Sequence, residues 1–267
     1  MNNVVEFTEL MNEAWGKFEE TKWLLPVPVI LSLIDYGKVI GVLNLEGPHV
    51  GIRFPLPEPT PTLWSFVSLP ANAAGSSFSP QTLFVMALFI LLGSYLEAGY
   101  VGSIRDAVKM TGGSFLDNAG RDFFEFLQFN LMLYAVMVIL IVPLMAMPFM
   151  FLLAFPAFLI FLYAIYGVPF LISVQRLEFR DALAESIHLA KRGGEYLDYA
   201  LKYLAIGALI SLPLTLVVTN MGLPGLVIGL LLSAPFSLTL STATVLFFYE
   251  SWEHDMGVTE IDISGFQ

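Results

Sequence analysis

Few side chains in this 267-residue chain are suited to chemistry, and most of those are carboxylates. Asp35 and Lys38 stand three apart within an apolar stretch, on one helical face, so they can neutralise each other inside a bundle. Glu97 falls near the end of another apolar stretch, where a carboxylate reaches the headgroups, a structural placement rather than an ion-carrying one. Asp117 with Arg121, and Asp198 with Lys202, are each four apart in the acid-first order that suits an intrahelical ion pair. Glu250, Glu253, His254 and Asp255 offer hard ligands to a divalent cation, yet as an acidic run they read as a solvated tail. His49, His188 and His254 fall in separate segments and make no cluster. No H-E-x-x-H, G-x-S-x-G or Walker phosphate loop occurs. The absence of cysteine excludes disulfides, thiolate zinc sites and thiol catalysis. No pair of intramembrane carboxylates stands out, which weighs against an aspartyl intramembrane protease and a proton-coupled pump. No catalytic residue, metal site or cofactor is therefore expected, and an enzyme is the least supported class.

The elements that must position these groups are set by composition. Hydrophobic residues make up 57% of the chain, charged residues only 13%, and the mean hydropathy is +0.75. A soluble domain carries roughly a quarter charged residues, so this is a membrane protein, all-α with about six spans. The excess of 23 acidic over 12 basic residues argues against a nucleic-acid partner.

A single polytopic domain over residues 1–267 is expected. Residues 1–21 read as an amphipathic helix rather than a secretory signal, because Glu6, Glu9 and Glu13 stand where a basic region would be. Val4, Phe7, Met11, Ala14, Trp15 and Phe18 give it one apolar face, placed either in the membrane interface or against the rest of the protein. The first and weakest span runs from Trp23 to about Leu45, or ends near Asp35. Residues 46–81 form a proline-rich external loop in which no helix is expected, and Phe54, Leu56, Trp64, Phe66 and Val67 suggest that it folds back on the bundle or the headgroups. Further spans are read at about 82–102, 115–142, 148–173, 200–219 and 223–249, followed by an acidic tail over 250–267.

An internal repeat links the second half of the chain. Gly112-Gly113-Ser114-Phe115-Leu116-Asp117 returns as Gly193-Gly194-Glu195-Tyr196-Leu197-Asp198, eighty-one residues later. Each copy follows a polar stretch holding Arg-Asp-Ala and precedes a pair of apolar segments, so 103–173 and 176–249 read as parallel units of interfacial helix, glycine hinge and hairpin. Ten basic residues fall on the side of the N-terminus and of both glycine pairs, and only Arg53 on the other, with Lys38 left inside the first span. This bias predicts a multi-pass protein of the cell membrane with both termini cytoplasmic.

Two stripes of small residues in steps of four predict close helix packing: Ser94, Ala98 and Gly102, and Gly225, Gly229, Ser233, Ser237 and Ser241. The second stripe serves either a contact inside the chain or self-association. Pro156, Pro169, Pro213 and Pro235 lie in or beside spans and read as structural kinks.

The stretch Glu178-Phe179-Arg180-Asp181-Ala182-Leu183-Ala184-Glu185-Ser186, followed by His188-Leu189-Ala190-Lys191-Arg192-Gly193-Gly194 and an apolar hairpin, resembles an element of a broad group of prokaryotic polytopic membrane proteins. That group includes the membrane domain of some glycerophosphodiester phosphodiesterases. The resemblance implies fold and location, not hydrolysis, because the soluble phosphodiesterase barrel is absent. The expectation is a non-enzymatic membrane component, a scaffold, partner subunit or lipid-associated protein, with membrane lipids and a membrane protein or a second copy as partners. A small-solute transporter or channel is the alternative, on the strength of the kinked spans and of Asp35, Lys38 and Glu97.

Overall fold

The computed structural model describes residues 6–70, 80–146, 149 and 151–255. Among them there is no strand, and twelve α-helices account for most of the chain. Two short helices, α1 (Phe7–Gly16) and α2 (Phe18–Thr21), lead into α3 (Pro26–Ile34), α4 (Tyr36–Leu43) and α5 (Leu63–Phe66). The long elements are α6 (Pro80–Val108), α7 (Phe115–Ala146), α8 (Phe151–Ile165) with α9 (Val168–Gln175), α11 (Glu195–Asn220) and α12 (Gly222–Asp255), with the polar α10 (Phe179–Arg192) between α9 and α11.

Five segments are long and apolar enough to cross a membrane: Met86–Val108, Phe115–Leu140, Leu152–Gln175, Glu195–Asn220 and Gly222–Glu250. A sixth is made by Phe18–Ile34 and Tyr36–Leu43 if they count as one span, bent by 72° at Asp35. This is an all-α membrane protein of the expected size. The bend has a local cause. Asp35 leaves the helical region (φ −74°, ψ 64°) and caps α4, its side chain accepting from the Lys38 amide at 3.4 Å. Past the bend the chain reaches the far end of α11, where the His49 amide donates to Asn220 Oδ1 at 3.0 Å. The bent pair thus carries the chain from one end of the bundle to the other.

α12 is the central helix. Ser237 to Phe248 are buried without interruption, the pattern of a helix covered on every side. The amphipathic α1 lays Phe7, Leu10 and Ala14 into the core, and the Phe7 ring meets Tyr199 at 5.2 Å, so this helix packs on the protein. The first small-residue stripe receives α7: a Cβ at Gly99 would stand 2.6 Å from Phe115, and one at Gly102 2.7 Å from Asn118.

The two copies of the glycine element build different structures. The stretch 103–111, expected as a separate amphipathic helix, is mostly the final turns of α6, with Gly102 to Asp106 buried. It continues the span because its charges are matched inside. Arg105 Nε donates to Asp106 Oδ1 at 2.9 Å, Nη2 to Asn118 Oδ1 at 3.0 Å, and Nη1 to the Ser173 carbonyl at 3.0 Å. Asn118 Nδ2 closes the cluster on Asp106 Oδ2 at 2.6 Å, and Asp122 lies 4.0 Å from Arg105. In the second copy Arg180 and Asp181 are exposed at the start of α10, a separate helix docked through Ala182 and Ser186. Glu125 of α7 caps α10 by accepting from the Phe179 amide at 2.7 Å. α10 then ends at Gly193 and Gly194, whose φ of 67° and 58° with ψ near −125° is open essentially to glycine alone.

Candidate functional site

The main departure from the expected architecture is the proline-rich segment. Expected as an external loop, without a helix, that folds back on the bundle or the headgroups, it enters the bundle itself alongside α11, and it contains the short α5, whose first turn is held by the Thr62–Ser65 capping box. After His49 at Asn220, the Arg53 amide donates to Ser211 Oγ at 2.7 Å, and Pro55 fills the space over Gly207, where a Cβ would overlap its ring. Pro59 and Pro61 then offer carbonyls to α12: Ser241 Oγ donates to the first at 3.3 Å, and Ser237 Oγ to the second. The chain turns through α5 and climbs back, the Ser68 amide reaching Thr215 Oγ1 at 2.9 Å. From Gly222 to Ser241 a helix rises about 28 Å. Ten residues from His49 to Pro59 cover that depth only if extended, at about 3.1 Å each.

The sequence explains why irregular backbone is tolerated there. Non-helical chain at membrane depth must have every amide and carbonyl satisfied or remove it. Pro55, Pro57, Pro59 and Pro61 remove four donors in alternate positions. Hydroxyls on α3, α11 and α12 take up others: besides those above, Ser32 Oγ accepts from the Leu63 amide at 2.9 Å, while Trp64 Nε1 donates to the Ser32 carbonyl at 2.6 Å. The stripe Gly225, Gly229, Ser233, Ser237 and Ser241 is thus turned inward. Gly229 faces Val218 and Leu63, Gly225 faces the Val217 carbonyl, and the serines are buried. Its glycine end packs on α11, and its serine end, Ser237 and Ser241, on the irregular backbone at Pro61 and Pro59.

Around this segment the intramembrane polar groups converge. Glu97 does not lie at the end of its span, because α6 runs on to Val108. Its Oε2 accepts from Asn130 Nδ2 at 2.9 Å, and the same amide reaches Ser94 Oγ at 3.0 Å. Glu58, on the re-entrant segment, accepts from Ser65 Oγ at 2.6 Å and lies within electrostatic reach of Glu97. Tyr134 of α7 lies within reach of both Glu97 and Asp35. Asp35 and Lys38 pair as expected, Nζ to Oδ2 at 2.7 Å, although across a helix break instead of along one helix. Glu58 and Glu97 thus lie near each other within the bundle, whereas the Asp35–Lys38 pair at the helix break stays partly exposed, at 29% and 37%, and not in the bundle interior.

The remaining candidates lie elsewhere. Asp198 and Lys202 pair at 2.6 Å on the exposed face of α11. The expected Asp117–Arg121 pair does not form: Arg121 turns to its neighbour Asp122, with Nε to Oδ1 at 2.7 Å, and Asp117 faces outward. Asp122 wins because it is held in the buried cluster with Arg105. Glu253, His254 and Asp255 have side chains outside the described residues, and among the described residues no group of His, Asp and Glu is placed to hold a metal ion. An apolar groove of about 400 Å³ between α11 and α12, lined by Ile206, Pro213, Val217, Leu232, Phe236 and Leu240 among others, contains no polar group to orient a ligand.

Sequence reasoning passed over Glu58, Thr60, Ser65, Tyr100 and Tyr203. The available signal was the alternation of four prolines around Glu58, which suits an extended chain whose donors have been removed, opposite a span with serines in steps of four. Comparison of the chain with protein-family models, curated proteins and solved structures gives no match, so the resemblance to the phosphodiesterase membrane domain rests on the residues of α10 and the glycine pair alone.

Proposed function

We propose that this protein is a non-enzymatic transporter or channel that moves a small solute through the middle of the bundle. The observation that carries the reading is the re-entrant proline-rich segment, which brings irregular backbone and Glu58 to the depth of Glu97 and of the α3–α4 break. Broken helices and non-helical backbone at membrane depth are characteristic of solute sites, and intramembrane carboxylates mark ion and substrate paths. In this reading the protein sits in the cell membrane, with its basic end and both termini in the cytoplasm. The test is flux into vesicles reconstituted with the purified protein, over a panel of inorganic ions, amino acids and sugars. Uptake of at least one solute, reduced tenfold or more in a folded Glu97→Gln variant, is expected; no flux across the panel would sink the reading.

The exposed charged face of α10 favours a second reading, a partner subunit or lipid-associated scaffold. Arg180, Asp181, His188, Lys191 and Arg192 face outward, while the opposite face is fixed by Ser186, whose Oγ donates to the Ala164 carbonyl at 2.8 Å. A native mass spectrum from mild detergent that shows a stoichiometric protein or lipid, lost when these residues are changed to serine, would support it. A bare chain would count against it.

A further inference from the structure

The groove between α11 and α12 has no polar group of its own, but it does not end on apolar residues. Ile206 also walls a second cavity, of about 430 Å³, whose remaining lining is Glu6, Phe7, Thr8, Lys202 and Ala205. Two helices pass from one cavity to the other by single turns: α1 from Phe7 to Met11, and α11 from Lys202 through Ile206 to Ile210. One furrow therefore runs down the outside of the bundle, apolar along its length and charged at one end. From Lys202 to Val217 it follows α11 for about 22 Å.

Its depth in the membrane identifies what lies against it. Lys202 stands about 27 Å along α11 from Asn220, the polar residue that ends the helix. That is close to the ~30 Å of a hydrocarbon core, so Lys202 is at headgroup level and the groove runs through the acyl region. Leu209, Leu232 and Phe236 on its walls are 75%, 48% and 41% exposed, a surface that in a spanning bundle meets lipid. At the charged end Lys202 Nζ is held by Asp198 Oδ2 at 2.6 Å, and Thr8 Oγ1 donates to Glu6 Oε2 at 3.3 Å. One ammonium and two carboxylates thus stand at the headgroup end of an apolar furrow.

We propose that the furrow seats one phospholipid of the surrounding bilayer, of the phosphoethanolamine class. An acyl chain lies along α11, the phosphate meets Lys202 Nζ, and the primary ammonium donates to the Glu6 carboxylate. The balance of charge disfavours the other common headgroups. An anionic headgroup would meet two carboxylates and a single cation. A choline donates no hydrogen bond and is taken up by aromatic faces, whereas Phe7 is buried against Tyr199. The seat depends on the membrane placement of α11 and not on transport through the bundle.

The experiment is native mass spectrometry of the protein in mild detergent, titrated in turn with palmitoyl-oleoyl phosphoethanolamine, phosphocholine and phosphoglycerol. A single saturable adduct is expected, with phosphoethanolamine bound about fivefold more tightly than either of the others. Glu6→Gln should erase the preference over phosphocholine, and Lys202→Ala should weaken all three lipids. Leu209→Trp, which fills the groove from an exposed position, should remove the adduct, while Lys191→Ala on α10 should change nothing. Equal affinities for the three lipids, or a preference untouched by Glu6→Gln and Lys202→Ala, would overturn the proposal. A lipid-free dimer would overturn it as well, by putting a second copy of the chain in the furrow.

Discussion

At the scale of single residues, burial decides what each charge contributes. Arg105 and Lys202 both pair with an aspartate, but the Arg105 side chain is 3% exposed and Lys202 45%. Removing Arg105 leaves Asp106 buried without its cation and Asn118 without a donor to its Oδ1, while Asp122 keeps Arg121. Arg105→Ala should therefore destabilise the protein by about 3–5 kcal/mol, whereas Lys202→Ala should cost about 0–1 kcal/mol. Unfolding of the two variants in mixed micelles measures the difference, and equal losses would refute the assignment of Arg105 to a buried cluster. Lys202 and Asp198 were legible in sequence because a pair four apart on a helix is local. Arg105 was not, because Asn118, Asp122 and the Ser173 carbonyl are brought to it from other helices and no spacing rule connects them. Asp117 misled for the related reason that Arg121 had a better-held partner next to it.

At the scale of elements, the spans were legible and the segments between them were not. Long apolar runs fix membrane helices almost independently of what they pack against. The proline-rich segment takes its place from groups on three other helices, so its composition announced extended chain while its depth stayed hidden. The paired glycines show the same division, since identical dipeptides answer different local demands. Gly193 and Gly194 both adopt positive φ, and a Cβ at either would have nothing within 4 Å, so their constraint is backbone geometry. At the first copy Met110 takes the positive φ instead, at 53°, and the constraint is space. A Cβ on Gly113 would overlap Asp106 Oδ2, while one on Gly112 meets nothing. Alanine scanning should accordingly leave Gly112→Ala within about 0.5 kcal/mol of the parent, and lower stability by about 1–3 kcal/mol at Gly113, Gly193 and Gly194. A uniform response at all four glycines, measured by thermal unfolding, would mean that the two copies are structural equivalents after all.

At the scale of the whole molecule, the number of crossings depends on the bent pair at Asp35. The chain enters that pair beside α1, which is packed on α12, and leaves it at His49 against Asn220, the far end of α11. Counted as one span, the pair gives six crossings, which would leave α1, the connections α6–α7 and α9–α11 and the end of α12 on one side. The positive-inside bias independently requires an even number, since ten basic residues collect on that side. A hairpin that turned back at Asp35 would instead leave five crossings and put Glu46 on the side of the N-terminal helix. The chain contains no cysteine, so single replacements give an unambiguous label. Glu13→Cys, Glu46→Cys and Lys191→Cys all replace exposed side chains. A membrane-impermeant maleimide added to intact cells should modify only the cysteine at position 46, and the other two should react once the membrane is opened. Modification of positions 13 and 191 in intact cells would invert the orientation while keeping six crossings. Equal behaviour of positions 13 and 46, with position 191 behaving oppositely, would establish the re-entrant hairpin, because three spans separate 46 from 191 in either topology, and would remove the geometric basis for placing Glu58 at the depth of Glu97.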